Sequence, residues 1–213
     1  MSTLATGPLP RCIVLDDDNV YWTDEYTGSV SKVAKSGGPA VTLAPLTGHV
    51  VQNQNAIALD SSSVYWVGGG VFKVGKGGGP VTTLLSAEAG APAGVCRSLD
   101  VVGGSVVTLL QPAPAVDSPD AEPPVQVVTF PSSGGGTPRV VVPSGFPFTL
   151  VANATTVYWA AEMTSIRIGE TPIGGGPSTL LATPAAYLVS DMALAGDGTL
   201  YWLTNSQVQS IKP

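Results

Sequence analysis

This chain of 213 residues is rich in hydrophobic residues (44%) and poor in charged ones (11%), well below the roughly 25% of charged residues in an ordinary soluble domain. It carries only nine Lys and Arg and a formal net charge of −6. The absence of a basic stripe disfavours nucleic acid and anionic membrane surfaces as partners. No apolar run approaches the roughly 18 residues of a membrane span. The 26 Gly and 19 Pro favour short strands joined by tight turns over helices.

The first four strand-like segments are IVLD at 13–16, VYWTD at 20–24, SVSKVAK at 29–35 and SGGPAVTLA at 36–44. Each is short, carries alternating or β-branched apolar residues and is bounded by turn residues, which is typical of β-strands. We name these segments strands A, B, C and D in chain order.

The same four segments recur along the rest of the chain. Strand B returns as SVYW at 63–66, SVVT at 105–108, TVYW at 156–159 and TLYW at 199–202, at spacings of 44, 42, 51 and 43 residues. Units of about 40 to 45 residues with four strands are the blades of β-propellers. We therefore predict a single all-β domain over residues 1–213, a five-bladed β-propeller of four-stranded antiparallel blades. The predicted blades are 11–44, 55–85, 96–142, 147–182 and 190–213 plus 2–5.

The string Tyr21-Trp22-Thr23-Asp24, with VYW, VYW and LYW in later units, resembles the YWTD-type β-propeller repeat of the low-density-lipoprotein receptor family. The chain also resembles bacterial secreted repeat proteins whose blades read VYWT, then V-x-K-V, then GGGP and TLA. The resemblance covers nearly the whole chain and implies a propeller scaffold. YWTD propellers have six blades, whereas this chain has material for five.

The two ends of the chain indicate how the ring closes. The fifth unit stops at Pro213 after its strand C, and Ser2 to Ala5 (STLA) matches strand D of the fourth unit, STLLA at 178–182. We predict that residues 2–5 pair antiparallel with residues 207–212 and complete the fifth blade, because an open sheet edge invites aggregation. The alternative is a truncated six-bladed protein.

The N-terminal segment, residues 1–11, has neither the charged region nor the apolar region of a signal peptide. The residue usage is nevertheless more typical of a secreted bacterial protein, so we expect a secreted, periplasmic or cell-envelope location, with a cytoplasmic one still open. Cys12 and Cys96 are expected to be buried thiols. Without a CxxC pair, zinc is not indicated, and no cofactor or metal is expected.

Three conspicuous features have structural explanations. The repeated Tyr-Trp pairs are expected to pack between blades rather than to bind sugars. Asp16 to Asp18 and Asp24 with Glu25 fall near opposite rims of blade 1, so they are not expected to form one calcium site. The GGGP segments lack the Lys-Ser/Thr of a phosphate loop and are expected to be C–D turns. His49 is the only histidine, which excludes a histidine-based triad within this chain.

The connections of variable length indicate where a ligand would bind. Blade 3 lacks the Tyr-Trp pair and carries a Pro- and Ala-rich insertion at 111–124 in its B–C connection. The D–A connection at 47–55, TGHVVQNQN, is expected on the same face, and amide side chains suit sugars or peptide backbones. We therefore predict a non-enzymatic scaffold, a monomer, that binds a protein, peptide or glycan. The candidate ligand-binding residues are His49, Gln52, Asn53, Asn55, Asp117 and Asp120.

The alternative is a five-bladed glycosidase-like hydrolase with carboxylates at the central funnel. That chemistry needs two carboxylates about 5–10 Å apart across one bond. The candidates are Asp60, Glu88, Asp100 and Asp191, and the sequence brings no two of them together.

Overall fold

The computed structural model describes residues 2–45, 57–68, 70–86, 96–110, 124–142, 146–162, 165–186 and 188–213. These residues form nineteen β-strands in five antiparallel sheets and no helix. Within this part of the chain, no helix is long and apolar enough to cross a membrane. The all-β propeller predicted from the repeats is therefore confirmed.

The strands follow one another as blades in chain order. Blade 1 consists of β1 (Pro10–Leu15), β2 (Asn19–Asp24), β3 (Val30–Ala34) and β4 (Val41–Ala44). Blade 2 consists of β5 (Ile57–Leu59), β6 (Ser63–Val67), β7 (Gly70–Gly75) and β8 (Thr82–Ser86). Blade 3 consists of β9 (Cys96–Val102), β10 (Ser105–Leu110), β11 (Gln126–Pro131) and β12 (Arg139–Val142). Blade 4 consists of β13 (Phe146–Ala152), β14 (Thr156–Glu162), β15 (Ile166–Pro172) and β16 (Thr179–Ala182). Blade 5 consists of β17 (Val189–Leu194), β18 (Leu200–Thr204) and β19 (Val208–Ile211).

The register of strands B and C is the same in every blade and therefore defines equivalent positions. Tyr21 pairs with Lys32, Tyr65 with Lys73, and Tyr158 with Glu170. In blade 5, Tyr201 pairs with Ser210. Any contact between two blades can consequently be compared with its counterpart at the next junction.

Local sequence explains the turns at one rim of the propeller. In the A–B turn of blade 1, Asp16 accepts hydrogen bonds from the backbone N–H groups of Asp18 and Asn19, at 3.1 and 2.9 Å. Asp60 and Asn153 cap the A–B turns of blades 2 and 4 in the same manner, as short polar side chains do in turns. In the longer A–B turn of blade 5, Asp197 accepts from the Thr199 N–H. Blade 3 instead turns on Gly103 and Gly104, whose φ angles of 56° and 78° suit glycine.

The core lies between neighbouring blades, because strand B presents alternate side chains to the blade on either side. Tyr65 and Trp66 are both fully buried, and Trp66 stacks on Phe72 with ring centroids 5.7 Å apart. This confirms that the aromatic pair of blade 2 is part of the core. Cys12 is buried as expected, and the side chain of Cys96 lies outside the described residues.

The predicted closure of the ring is wrong. Residues 2–7 form no strand, and among the described residues blade 5 has three strands and β19 has no strand partner on its outer side. The innermost strands contact one another successively from β1 to β17, and within the described residues no contact of similar extent joins β17 to β1. The N-terminal segment stays beside blade 1 because the Leu9 N–H donates to Asp24 Oδ2 (2.8 Å) and Leu9 O accepts from the Glu25 N–H (2.9 Å).

Replacement of the repeat tryptophan should have unequal effects in blades 1 and 2. Trp66 is fully buried between blades, so Trp66→Ala should lower the free energy of unfolding by about 3–5 kcal/mol. Trp22 occupies the equivalent position in blade 1 but is only half-buried, and Trp22→Ala should cost about 1–2 kcal/mol. Urea unfolding of both variants measures the difference, and equal losses would contradict the burial pattern.

Candidate functional site

A tyrosine–aspartate hydrogen bond fastens the A–B turn to strand B in the first two blades. Tyr65 OH donates to Asp60 Oδ2 at 2.6 Å, and Tyr21 OH donates to Asp16 Oδ2 at 2.9 Å. Burial works against ionisation of Asp60, but hydrogen bonds from Tyr65 and the backbone N–H groups of Ser62 and Ser63 outweigh it and lower the pKa of the carboxyl group. These carboxylates are therefore ionised turn caps.

At the junction of blades 1 and 2 this motif also joins the two blades. Lys76 Nζ of blade 2 lies 2.9 Å from Asp16 Oδ2 and 5.8 Å from the centroid of the Tyr21 ring. The hydrogen bond from Lys76 is the largest influence on Asp16 and holds the pKa of its carboxyl group far below its usual range. Burial, together with the neighbouring Asp16 carboxylate, raises the pKa of Tyr21 to about 12. Lys76 and Asp16 thus form an ion pair between the two blades, and the phenol of Tyr21 beside it is neutral.

A second polar contact recurs at three successive junctions. The donor is a lysine on strand C or an arginine on strand D. The acceptor is a backbone carbonyl just after strand C of the next blade. Lys32 Nζ donates to Lys76 O (2.6 Å), and Lys73 Nζ donates to Ser132 O (2.7 Å). Arg139 donates to Ile173 O (2.7 Å) and Gly174 O (2.5 Å). These contacts were not predicted from the sequence. The repeated V-x-K-V of blades 1 and 2, which places a lysine at the same position of strand C, could have indicated them.

The Asp24 carboxylate of the YWTD string holds a turn and the chain entry to blade 1. It accepts hydrogen bonds from the N–H of Leu9 (2.8 Å), the N–H of Thr27 (2.9 Å) and Thr27 Oγ1 (3.0 Å). Burial opposes ionisation of Asp24, but these donors lower the pKa of its carboxyl group. Glu25 turns to Arg11, with which it forms an ion pair at 3.2 Å. Among the described residues, no group of three or more His, Cys, Asp or Glu could hold a metal ion.

Asp100 is the described carboxylate whose pKa is raised, and burial is the cause. It lies on β9 of blade 3, where Oδ2 accepts from the Ala152 N–H of blade 4 and Oδ1 from the Val101 N–H, both at 2.8 Å. Asp100 therefore bridges two innermost strands.

The other hydrolase candidates belong to separate blades. Asp60 caps the A–B turn of blade 2, and Asp191 lies on β17 of blade 5, where its Oδ1 accepts from the Met192 N–H at 2.8 Å. Glu88 lies outside the described residues. The described contacts of Asp60, Asp100 and Asp191 therefore hold the backbone and do not assemble an acid–base pair.

The candidate ligand-binding residues His49, Gln52, Asn53, Asn55, Asp117 and Asp120 all lie outside the described residues. The strands that lead to them are described. Because successive strands of a blade are antiparallel, strands B and D end at the same face of the propeller. The connections that leave β4 after Ala44 and β10 after Leu110 therefore start from one face, and the A–B and C–D turns occupy the other.

No family model matches the sequence, and a comparison with curated proteins finds no significant relative. Solved structures share the fold. In a nidogen–laminin complex, the matching chain is 14% identical, with a TM-score of 0.67 over 92% of this chain and 73% of the other. A gluconolactonase from Xanthomonas campestris is 16% identical, with a TM-score of 0.64 over 91% and 68%. Regucalcin, a calcium-binding protein from Agrobacterium tumefaciens, is 13% identical, with a TM-score of 0.65 over 96% and 70%. The propeller implied by the YWTD-type repeats is thus confirmed.

Asp100 and Asp60 should affect stability with opposite dependence on pH. Because the pKa of Asp100 is raised in the folded state, the native protein binds more protons there, and the free energy of unfolding falls as pH rises through that pKa. Asp100→Asn should therefore be more stable than the parent at neutral pH and lose this advantage in acid. Asp60→Asn should destabilise at neutral pH, since its lowered pKa gives stability that is lost as pH falls.

Urea unfolding of the parent and both variants between about pH 3 and pH 8 measures these slopes. In the Asp100→Asn variant, the Ala152 N–H can still donate to the oxygen of the new side-chain amide, so the substitution changes charge more than geometry. Identical pH profiles for the parent and Asp100→Asn would contradict the assignment.

Proposed function

We propose that this protein is a non-enzymatic binding scaffold that engages a protein, peptide or glycan through the face from which the D–A and B–C connections leave. The observation that carries the proposal is the use of the described carboxylates. Asp16, Asp24, Asp60 and Asp100 each accept two or more hydrogen bonds that cap a turn or join two segments. A general acid or nucleophile must be able to reach a substrate, whereas these groups hold the scaffold.

The division between the two faces supports the same proposal. The A–B and C–D turns are short, and the A–B turns of blades 1, 2 and 4 are capped in the same way. The opposite face bears connections that differ in length and sequence, and variable loops on a repetitive scaffold are where binding usually occurs. Gln52, Asn53 and Asn55 offer amide donors and acceptors there, and Asp117 and Asp120 offer acceptors. This chemistry suits the polar edges of a peptide or a sugar.

The fold by itself does not decide between binding and catalysis. One structural neighbour occurs in a nidogen–laminin complex and another is a gluconolactonase, and unrelated functions commonly share one propeller scaffold. The nidogen–laminin case supports a protein partner. The carboxylate contacts on this chain do not favour the hydrolase alternative.

The proposal predicts that binding depends on the face that bears the D–A and B–C connections and not on the opposite face, which bears the A–B and C–D turns. The probe is an array of glycans and peptides, followed by titration of the best binder. Replacing residues 112–123 by a short Gly-Ser linker, or changing Gln52 and Asn53 to Ala, should weaken binding about tenfold or more, which corresponds to a loss of at least about 1.4 kcal/mol.

The matched control changes Asp17 and Asp18 to Ala, because both belong to an A–B turn on the opposite face. This variant should bind like the parent. Loss of binding in the control but not in the loop variants would contradict the placement. Turnover of a lactone or a glycoside that Asp60→Asn or Asp100→Asn abolishes, with folding intact, would contradict the non-enzymatic role.

A further inference from the structure

Each end of the row of blades presents an apolar face whose equivalents are buried inside the row. Val208 of blade 5 is 71% exposed, whereas Val71 at the equivalent position of blade 2 is fully buried. Tyr201 is 42% exposed and its equivalent Tyr65 only 1%. At the other end, Ile13 is 69% exposed and its equivalent Ile57 only 6%. Both end faces therefore have the composition of a blade–blade interface without the neighbouring blade.

The charged residues that join blades 1 and 2 also have counterparts at both ends. Lys76 follows strand C of blade 2 and pairs with Asp16, the A–B turn residue of the preceding blade. The equivalent of Lys76 in blade 1 is Lys35, which is exposed and forms no ion pair within the described residues. In blade 5 the A–B turn is one residue longer, so Ala195 occupies the position of Asp16. The carboxylate of this turn is Asp197, whose contact with Lys212 at 3.5 Å is exposed on both sides. One end thus offers a cation and the other a carboxylate.

The backbone shows how much polypeptide would fill the gap between blade 5 and blade 1. Within the residues that the structure describes, β19 lacks the strand D partner that the strand C of each of the first four blades has. On the other side, residues 2–7 line a cavity of about 400 Å³ with Cys12, Val20, Trp22 and Val33 of blade 1, and they belong to no sheet. A unit in the order D, A, B, C would pair its first strand with β19 and offer its strand C to residues 2–5. Such a unit is one repeat in length.

We propose that the gap between blades 5 and 1 is a docking site for one further repeat unit, which is not part of these 213 residues. The unit carries a carboxylate in its A–B turn, facing Lys35, and a cation directly after its strand C, facing Asp197 and Tyr201. The proposal extends the blade–blade interface that already occurs between successive blades. A second copy of the chain fits less well, because head-to-tail contact between two such rows leaves the same two faces free and does not close.

The test is a chimera in which a copy of residues 36–76 is appended after Pro213. Pro213 is equivalent to Lys35 in the strand register, so the copy continues the repeat without a shift. In the chimera, Lys35 faces the copy of Asp60, and the copy of Lys76 faces Asp197. We expect a monomer with a higher thermal midpoint and less binding of an apolar dye. Backbone amides of β19 that point away from β18 should exchange at least about tenfold more slowly than in the parent.

Charge reversal provides the matched control. Lys35→Glu should leave the parent chain unchanged, since Lys35 is exposed there, but should lower the thermal midpoint of the chimera. Asp60→Lys within the appended copy should restore that midpoint. A chimera whose appended unit leaves the β19 amides as unprotected as in the parent would overturn the proposal. A parent chain that forms a defined dimer with protected β19 amides would assign the gap to a second copy and also overturn it.

Discussion

The packing of one blade against the next is the interaction on which the rest of this structure depends. Each thin sheet buries its aromatic and β-branched side chains only when another sheet covers them, as Trp66, Tyr65 and Val71 illustrate. Full burial of one such side chain contributes roughly 1.5–3 kcal/mol, whereas an exposed ion pair contributes about 0–1 kcal/mol. Apolar packing therefore supplies the stability of the junctions. The lysine and arginine contacts to backbone carbonyls fix how neighbouring blades are aligned.

Much of the fold could be predicted because its signals are local and repeated. The spacing of the Tyr-Trp pairs indicated the blades, and the glycine-rich segments indicated the C–D turns. Ring closure could not be predicted in the same way. The STLA match at residues 2–5 identifies a strand D type of segment, but the angle between blades depends on how twisted sheets pack, and that angle decides whether β19 comes within reach.

The candidate site could be predicted only as a location. Antiparallel strand order predicts that the 47–55 connection and the blade 3 insertion leave from one face; the structure confirms the strand order, and the connections themselves lie outside the described residues. The sequence did not indicate that Asp100 joins β9 to β13, because its partner Ala152 belongs to another blade and no local pattern around residue 100 predicts that contact. The described carboxylates hold turns and blades together. The predicted ligand-binding residues belong to connections outside the described residues.

The central claim is that blade packing continues from blade 1 to blade 5 and that, in the part of the chain the structure describes, no comparable packing joins blade 5 to blade 1, so that the ring is open. Pulsed electron paramagnetic resonance can test it with spin labels on cysteines placed at Lys35 and Asp197, in a background without Cys12 and Cys96. The reference pair places labels at Lys76 and Asp16, which lie at the end of strand C and in the A–B turn of a closed junction, 2.9 Å apart at their charged atoms. An open ring predicts a clearly longer distance for the 35–197 pair than for the 76–16 pair. Equal distances for the two pairs would show a closed five-bladed ring and contradict the account.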